Sequence, residues 1–327
     1  MDALSEALSA VRLNAAVFFN AEMTAPWGFL SPPAAEIAPL LAPGLEHMVI
    51  FHLVTEGRAV VSVEGEPDLV VEAGDIVIMP HGDAHTFSSG SPAVLQDGAE
   101  AITRFLAGDI SLTRYGGGGE ATTRFVCGYF GCERRACRLF LAGLPRVLKV
   151  NVRGDASGAW LESSLRHLVA EAASGRPGSM VLLSKMAEAL FVEALRRHMA
   201  ELPEDRTGWL AAARDPLVGA ALAALHREPH RHWTLPELAT EVGASRTVLS
   251  DRFQHFLGES PIHYLARWRL QLASRLLQAD RKSVIEVAMD VGYESEAAFN
   301  RAFKREFGLP PAQYRRARAG EMAAAGG

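Results

Sequence analysis

The segment Val284–Tyr314, VIEVAMDVGYESEAAFNRAFKREFGLPPAQY, repeats a pattern already present at Thr234–Tyr264, TLPELATEVGASRTVLSDRFQHFLGESPIHY. A shift of fifty positions pairs Leu249 with Phe299, Phe253 with Phe303, Leu257 with Phe307, Gly258 with Gly308, Pro261 with Pro311 and Tyr264 with Tyr314. A shift one shorter pairs Ala239 with Ala288, Val242 with Val291 and Gly243 with Gly292. Two copies of one supersecondary unit are therefore present, differing by one residue in the turn.

Each copy reads as two helices joined by a tight turn. Leu238, Ala239 and Val242, or Val287, Ala288 and Val291, form the apolar stripe of the first helix. Gly243 or Gly292 follows, where a helix end favours a residue tolerant of positive φ. Ser245 or Ser295 then stands where an N-cap belongs, its hydroxyl able to accept from an amide that has no helical partner. The second helix repeats apolar residues every three or four positions (Val248, Leu249, Phe253, Phe256; Ala298, Phe299, Phe303, Phe307) and stops at Gly258 or Gly308. Short helix, glycine turn and second helix make the helix-turn-helix pattern, whose second helix can lie in a DNA major groove. One such match carries little weight, because helical hairpins are common. Two in tandem with matched stops are specific.

Between the copies runs Pro261–Leu277, PIHYLARWRLQLASRLL, with proline at the helix start and Leu265, Trp268, Leu272 and Leu276 as its apolar stripe. At 1.5 Å per residue this helix is roughly 25 Å long, the order needed to hold two recognition helices near one DNA turn, about 34 Å, apart. Charge is distributed unevenly. Residues 216–319 hold 15 Lys+Arg and 11 Asp+Glu, a net of +4, whereas the remainder holds 18 and 27, a net of −9, within an overall −5. That polarity suits a DNA-binding end joined to a non-binding end. A surplus as small as +4 asks for dimerisation or well-placed contacts.

The segment from about Asp215 to Arg318 resembles the DNA-binding domain of AraC/XylS-type transcription regulators. The resemblance rests on Ile285, Val287, Ala288, Val291-Gly292-Tyr293, Ser295, Phe299, Arg301, Phe303, Lys304, Phe307-Gly308, Pro310-Pro311 and Tyr314-Arg315. By motif position it implies base contacts from Arg246, Thr247, Ser250 and Asp251 in the first recognition helix. In the second it implies Glu296, Ala297, Asn300 and Arg301. Arg301 suits a bidentate bond to guanine, Asn300 suits adenine, and Asp251 or Glu296 can accept from cytosine N4. An acid at Asp251, where the family often carries a base, is a departure. Arg252, Lys304, Arg305 and Arg315 are the candidates for phosphate, which fixes register without carrying sequence information. Implied partners are double-stranded promoter DNA, RNA polymerase, a small-molecule effector and a second copy of the chain.

The 327 residues leave room for two domains with real cores. The first residues lack a basic start and a long apolar run, so no secretory leader is expected, and no apolar stretch reaches a membrane span. Three cysteines, an odd count, point to reduced thiols and a cytoplasmic setting. From Glu46 to about Phe130 the pattern turns to strands: Met48–Val54, Ala59–Val63, Leu69–Val71 and Ile76–Met79, with glycine turns between. Such short apolar runs predict a small barrel or sandwich. Gly74 to His85, with Pro80, Gly82 and His85 at fixed spacing, resembles the second motif of cupins, and the resemblance extends to the sensor domains of some AraC-type regulators. In metal-binding cupins the partner motif is a His-x-His pair with a glutamate. The β region of this chain has none, His47 and His52 being five apart. His52, His81 and His85 are therefore assigned to the mouth of an effector pocket or to backbone hydrogen bonds, and no cofactor is expected.

Cys127, Cys132 and Cys137 are spaced by five, too wide for a zinc knuckle. Arg134, Arg135 and Arg138 nearby could lower a thiol pKa, as a redox sensor requires, with Cys132 and Cys137 favoured because Cys127 sits in an apolar run. Two further helices, Gly158–Ala173 and Ser179–Met199, are predicted as a hairpin for dimerisation in preference to an intrachain buttress. The fold class expected is α+β multidomain: a cupin-like sensing β-barrel over 1–155, a helical hairpin over 156–207, and an all-α double helix-turn-helix domain over 208–327. The function expected is that of a dimeric transcription regulator and not an enzyme. A metal-dependent cupin enzyme and a thiol redox switch stand as alternatives.

Overall fold

Period-two alternation builds one part of the molecule and period-3.6 alternation the other. The computed structural model describes the chain outside residues 1, 11–13, 43–44, 46, 91–94, 98, 110, 133–140, 142, 152–162, 165–166, 168–169, 172–175, 280–281 and 318–327. The chain forms two compact units. One gathers residues 13–134 and 144–201, the other residues 1–12, 135–143 and 202–327. This division differs from the expected one at three places: the first helix and residues 135–143 join the C-terminal unit, and the helix after residue 178 joins the β unit.

Among the described residues the β unit has a six-stranded and a five-stranded sheet. The first runs in the order β11 (Leu148–Asn151), β6 (Asp75–Met79), β3 (His47–Glu56), β10 (Thr122–Cys132), β1 (Asn14–Thr24), β9 (Thr113–Gly116). The second runs β5 (Leu69–Glu72), β4 (Arg58–Val63), β7 (His85–Ser88), β2 (Gly28–Ser31), β8 (Leu95–Asp97). Pairings are antiparallel except β1 with β9 and β2 with β8. Aromatic side chains join the sheets across the interior: Phe19 stacks on Phe29 at 5.5 Å, and Phe87 meets Phe125 edge-on at 4.7 Å. Both are favoured aromatic geometries. Every residue from Met48 to Val54 is buried, which is why β3 reads as an apolar run broken only by His52.

On the far face of the six-stranded sheet Phe130 stacks on Phe51 at 4.7 Å and lies 4.5 Å from Phe191. Phe191 belongs to α4 (Ser179–Glu201), which buries Leu183, Ala187, Leu190, Phe191, Ala194 and Leu195. The buried stripe of this helix is thus used as a buttress within the chain. Most of its expected hairpin partner, Gly158–Ala173, lies outside the described residues. This unit also holds two shorter helices, α2 (Ala34–Leu41) and α3 (Ala99–Leu106).

The second unit is helical. It contains α1 (Ala3–Ala10), α5 (Trp209–Arg214), α6 (Pro216–Arg227), α7 (Leu235–Glu241), α8 (Arg246–Leu257), α9 (Pro261–Ala279), α10 (Val284–Asp290) and α11 (Glu296–Phe307). Asp215 caps α6, accepting from the amides of Leu217 at 3.1 Å and Val218 at 2.8 Å. Residues Ala221 to His226 of α6 are buried without interruption, so this helix has no water-facing side there. Part of the cover is α1, which packs on α6 and buries Ala3, Leu4 and Ala7.

The two copies repeat their signals closely. Thr234 and Ser283 each close a capping box with a glutamate three residues on, Glu237 and Glu286. Ser245 and Ser295 cap α8 and α11, accepting from Val248 and Ala298, and both helices end on a left-handed glycine, Gly258 or Gly308. The helix between the copies has 19 residues, hence a length of about 28 Å.

Candidate nucleic-acid interface and a buried histidine–thiol row

The two second helices present matched outward faces. In α8 the buried side is Leu249 and Phe253, and in α11 it is Phe299, Phe303 and Phe307. Helical geometry then turns Arg246, Thr247, Ser250 and Asp251 outward on α8, and Glu296, Ala297, Asn300 and Arg301 outward on α11. All are exposed except Ser250 and Asn300, which are half-buried at the flank. Gln254, one turn beyond Ser250, extends the first face, and no motif had singled it out. Register places Arg246 opposite Glu296 and Asp251 opposite Arg301, so both charged positions change sign between the copies.

The four cations proposed for phosphate divide in two. Lys304 and Arg305 are exposed on the last turns of α11. Arg252 instead pairs with the carboxylate of Asp215 and lies 6.0 Å over the ring of Phe256. Arg315 donates to the carbonyls of Leu277 at 3.1 Å and Lys282 at 2.6 Å, across the end of α9. The structure thus gives both guanidiniums partners inside the protein.

Under the first helix-turn-helix lies a buried polar line. Trp209 Nε1 donates to the Tyr264 hydroxyl at 2.9 Å, and the hydroxyl lies 2.8 Å from His226 Nε2. Since the tryptophan nitrogen can only donate, the tyrosine proton goes to His226. The imidazole stacks on Trp268 at 4.0 Å, and burial lowers its pKa to about 3 against the opposing pull of the Ala3 backbone. This line fastens α5, α6 and α9 together at the base of α8.

A second buried line crosses the interior of the β unit. His52 Nδ1 is 2.5 Å from Cys127 Sγ, His52 Nε2 is 2.6 Å from His85 Nε2, and His85 Nδ1 is 2.9 Å from the Asp83 carbonyl. With burial keeping both rings neutral, the carbonyl fixes every proton in the row. His85 Nδ1 must donate to it, so His85 Nε2 accepts from His52 Nε2, and His52 Nδ1 accepts from the thiol. Burial holds His52 well below the usual histidine range, helped by His85, and lowers His85 to about 4. Burial likewise pushes the Cys127 thiol up, away from the reactive thiolate.

His52 turns one nitrogen to the sulfur and the other to His85, so three donors stand in a row and not around a point. Accordingly, no group of three or more His, Cys, Asp or Glu among the described residues could hold one ion, and this row does not fit the metal centre of metal-binding cupins. His81 stands apart, with Nε2 3.1 Å from the carbonyl of Leu144. The side chain of Cys132 and all of Cys137 lie outside the described residues. Sequence reading brought His52 and His85 to one region but did not join Cys127 to them. The register that sets Cys127 opposite His52 in β10 and β3 makes the link.

Comparison with known proteins bears on both units. A cupin family model matches residues 2–200, and a helix-turn-helix family model matches residues 238–317. The HTH-type transcriptional regulator AlkR of Acinetobacter baylyi is 30% identical over 323 residues, covering 96% of this chain and 99% of that protein. The chain belongs to the AraC-type transcription regulators. An AraC-like transcription regulator of Streptomyces lividans is 34% identical over 272 residues, 82% of this regulator and 87% of that one. Among solved structures, a transcriptional regulator with an AraC-type DNA-binding domain from Chromobacterium violaceum is 28% identical, with a TM-score of 0.32. It covers 33% of this regulator and 96% of that chain. The regulator binds DNA through its helix-turn-helix domain and combines it with an N-terminal cupin domain. No helix among the described residues is long and apolar enough to cross a membrane.

Proposed function

We propose that the regulator seats α8 and α11 in successive major-groove segments of one promoter and reads base edges with Arg246, Thr247, Ser250 and Asp251, and with Glu296, Ala297, Asn300 and Arg301. The observation that supports this most is the matched pair of outward faces, each opposite a buried apolar stripe. Arg301 makes the most specific contact, a fork on guanine, while Lys304 and Arg305 hold phosphate. Arg252 and Arg315 act indirectly, by fixing α6 to α8 and the end of α9.

The β unit is the sensing part in this reading, and an effector acts by favouring one of two arrangements through differential affinity. Its interior around the His52–His85–Cys127 row is the proposed seat. A second copy of the chain pairs through the exposed apolar patch Met180, Val181 and Leu182 at the start of α4. RNA polymerase is the further partner on the promoter, in the cytoplasm, and no catalysis is assigned.

Binding to cognate and random duplexes over a range of salt tests the assignment. Arg301→Ala is expected to cost about 1–3 kcal/mol on the cognate duplex and little on random DNA. Lys304→Ala is expected to weaken both alike and to reduce the salt slope by about one. Equal losses for Arg301→Ala on both duplexes would contradict base readout by α11.

A further inference from the structure

The two helix-turn-helix copies meet at one arginine. Arg269, in the middle of α9, donates through Nε to the Pro229 carbonyl at 2.6 Å and through one terminal nitrogen to the Arg231 carbonyl at 2.8 Å. Both acceptors lie in the loop between α6 and α7, on the first copy's side. Its other terminal nitrogen donates to the Gly292 carbonyl at 3.0 Å, in the turn of the second copy. Among the described residues no carboxylate pairs with Arg269, and burial lowers its pKa from the usual arginine value. A half-buried guanidinium therefore directs its rigid fork at three backbone carbonyls, two in the loop that leads into the first copy and one in the turn of the second. A lysine ammonium, a point charge on a flexible stem, cannot reproduce that geometry.

The turn glycines confirm that the copies are used differently. Gly243 and Gly292 occupy equivalent positions, with φ of +69° and +84°. A Cβ on Gly243 would meet nothing within 4 Å, so there the requirement is backbone conformation alone. A Cβ on Gly292 would lie 2.8 Å from both the Cα and the carbonyl oxygen of His230, and 2.9 Å from the Arg269 guanidinium carbon. The second turn is thus seated on the first copy's loop, with Arg269 beneath both. The loop itself is braced, since Trp233 Nε1 donates to the Glu228 carbonyl at 3.0 Å and the Arg231 guanidinium covers the Trp233 ring at 3.8 Å.

We infer that Arg269 is a positioning residue for operator selection: by clamping loop 228–233 to the Gly292 turn it sets the relative placement of α8 and α11, and hence the one spacing between DNA elements that the regulator accepts. It touches neither recognition face, so it does not choose bases. The inference rests on the proposed reading of one duplex by both helices. Fixing two binding elements relative to each other makes the second contact intramolecular, an advantage that is lost when the geometry is loosened.

The test is selection by the full-length regulator from a random duplex library about three helical turns long. The native chain is expected to enrich two elements at a single spacing. Arg269→Ala and Gly292→Ala are expected to enrich the same two elements over several neighbouring spacings. Affinity for the native-spacing duplex should fall on the order of tenfold while affinity for either element alone stays within about twofold. Should Arg269→Ala melt below the assay temperature, Arg269→Lys is used, and the same result is expected of it. A folded Arg269 variant that keeps both the single spacing and the native affinity overturns the clamp. A native chain that enriches one element only overturns the two-helix reading first, and the clamp with it.

Discussion

The two helix-turn-helix copies share a frame and differ in what that frame faces. The caps and left-handed stops of their second helices coincide at a fifty-position offset, and the capping boxes of their first helices at forty-nine. Their outward faces do not, since Arg246 and Asp251 stand where the second copy has Glu296 and Arg301. Their turns differ as well, one open and one pressed against the neighbouring loop. Duplication has kept what folding needs, a stripe, a cap and a stop, and left the groove-facing and inter-copy surfaces free to diverge. The second copy carries an exposed arginine, Arg301, on its outward face and has its turn held by Arg269.

The largest effects should come where the copies are alike. Phe253→Ala and Phe303→Ala each empty a fully buried ring site and are expected to cost about 3–5 kcal/mol in denaturant unfolding. A large loss for one and a negligible loss for the other would show that the copies do not share one packing logic.

Next is the contrast between the two buried histidine lines. Above pH 6.5 the folded and unfolded chains both hold these rings neutral, so they add no pH dependence there. Below it the unfolded chain takes up protons that the folded rings refuse. Stability therefore falls as the pH drops from 6.5 toward 4, by about 1.4 kcal/mol per pH unit for each histidine still neutral in the fold. The β unit has two such rings, His52 and His85, and the DNA-binding unit has His226. His85→Gln should flatten the acid-side slope of the β unit's melting curve by about one such increment, and an unchanged slope would mean that His85 is already charged.

A smaller effect separates the outward faces. Asp251→Ala removes an acid from the outward face of α8 and is expected to tighten binding to random DNA slightly, whereas Arg301→Ala is expected to weaken it by a similarly small amount. Competition with salmon-sperm or other mixed duplex at fixed salt reads the difference. The smallest effects should be shared again: Ser245→Ala and Ser295→Ala each remove one cap and are expected to cost about 1 kcal/mol.

Local periodicity made the helical unit readable. Leu249, Phe253, Phe299 and Phe303 announce their buried side through three- and four-residue spacing, and Ser245, Ser295, Gly258 and Gly308 mark the ends. The β unit was readable as a class, because apolar runs as short as Met48–Val54, β-branched and set between glycine turns, favour buried strands. Long-range pairing was not. Nothing local tells Cys127 that it will face His52 seventy-five positions away, or that His85 will close the row. The intended use of α4 was legible only in part, since one apolar stripe serves a sheet or a partner subunit equally well. Arg252, Arg269 and Arg315 look alike in sequence as surface cations, and only packing shows that each is directed at groups of the protein. The placement of α1 on α6 was equally hidden, because Ala3, Leu4 and Ala7 make an ordinary amphipathic turn with no label for its destination.

The most direct test is a hydroxyl-radical footprint of the full-length regulator on the duplex it selects. Two protected blocks centred about 10 base pairs apart on the same face of the helix are expected, one lost on disrupting α8 and the other on disrupting α11. A single protected block, or two blocks half a turn apart on opposite faces, would contradict the account.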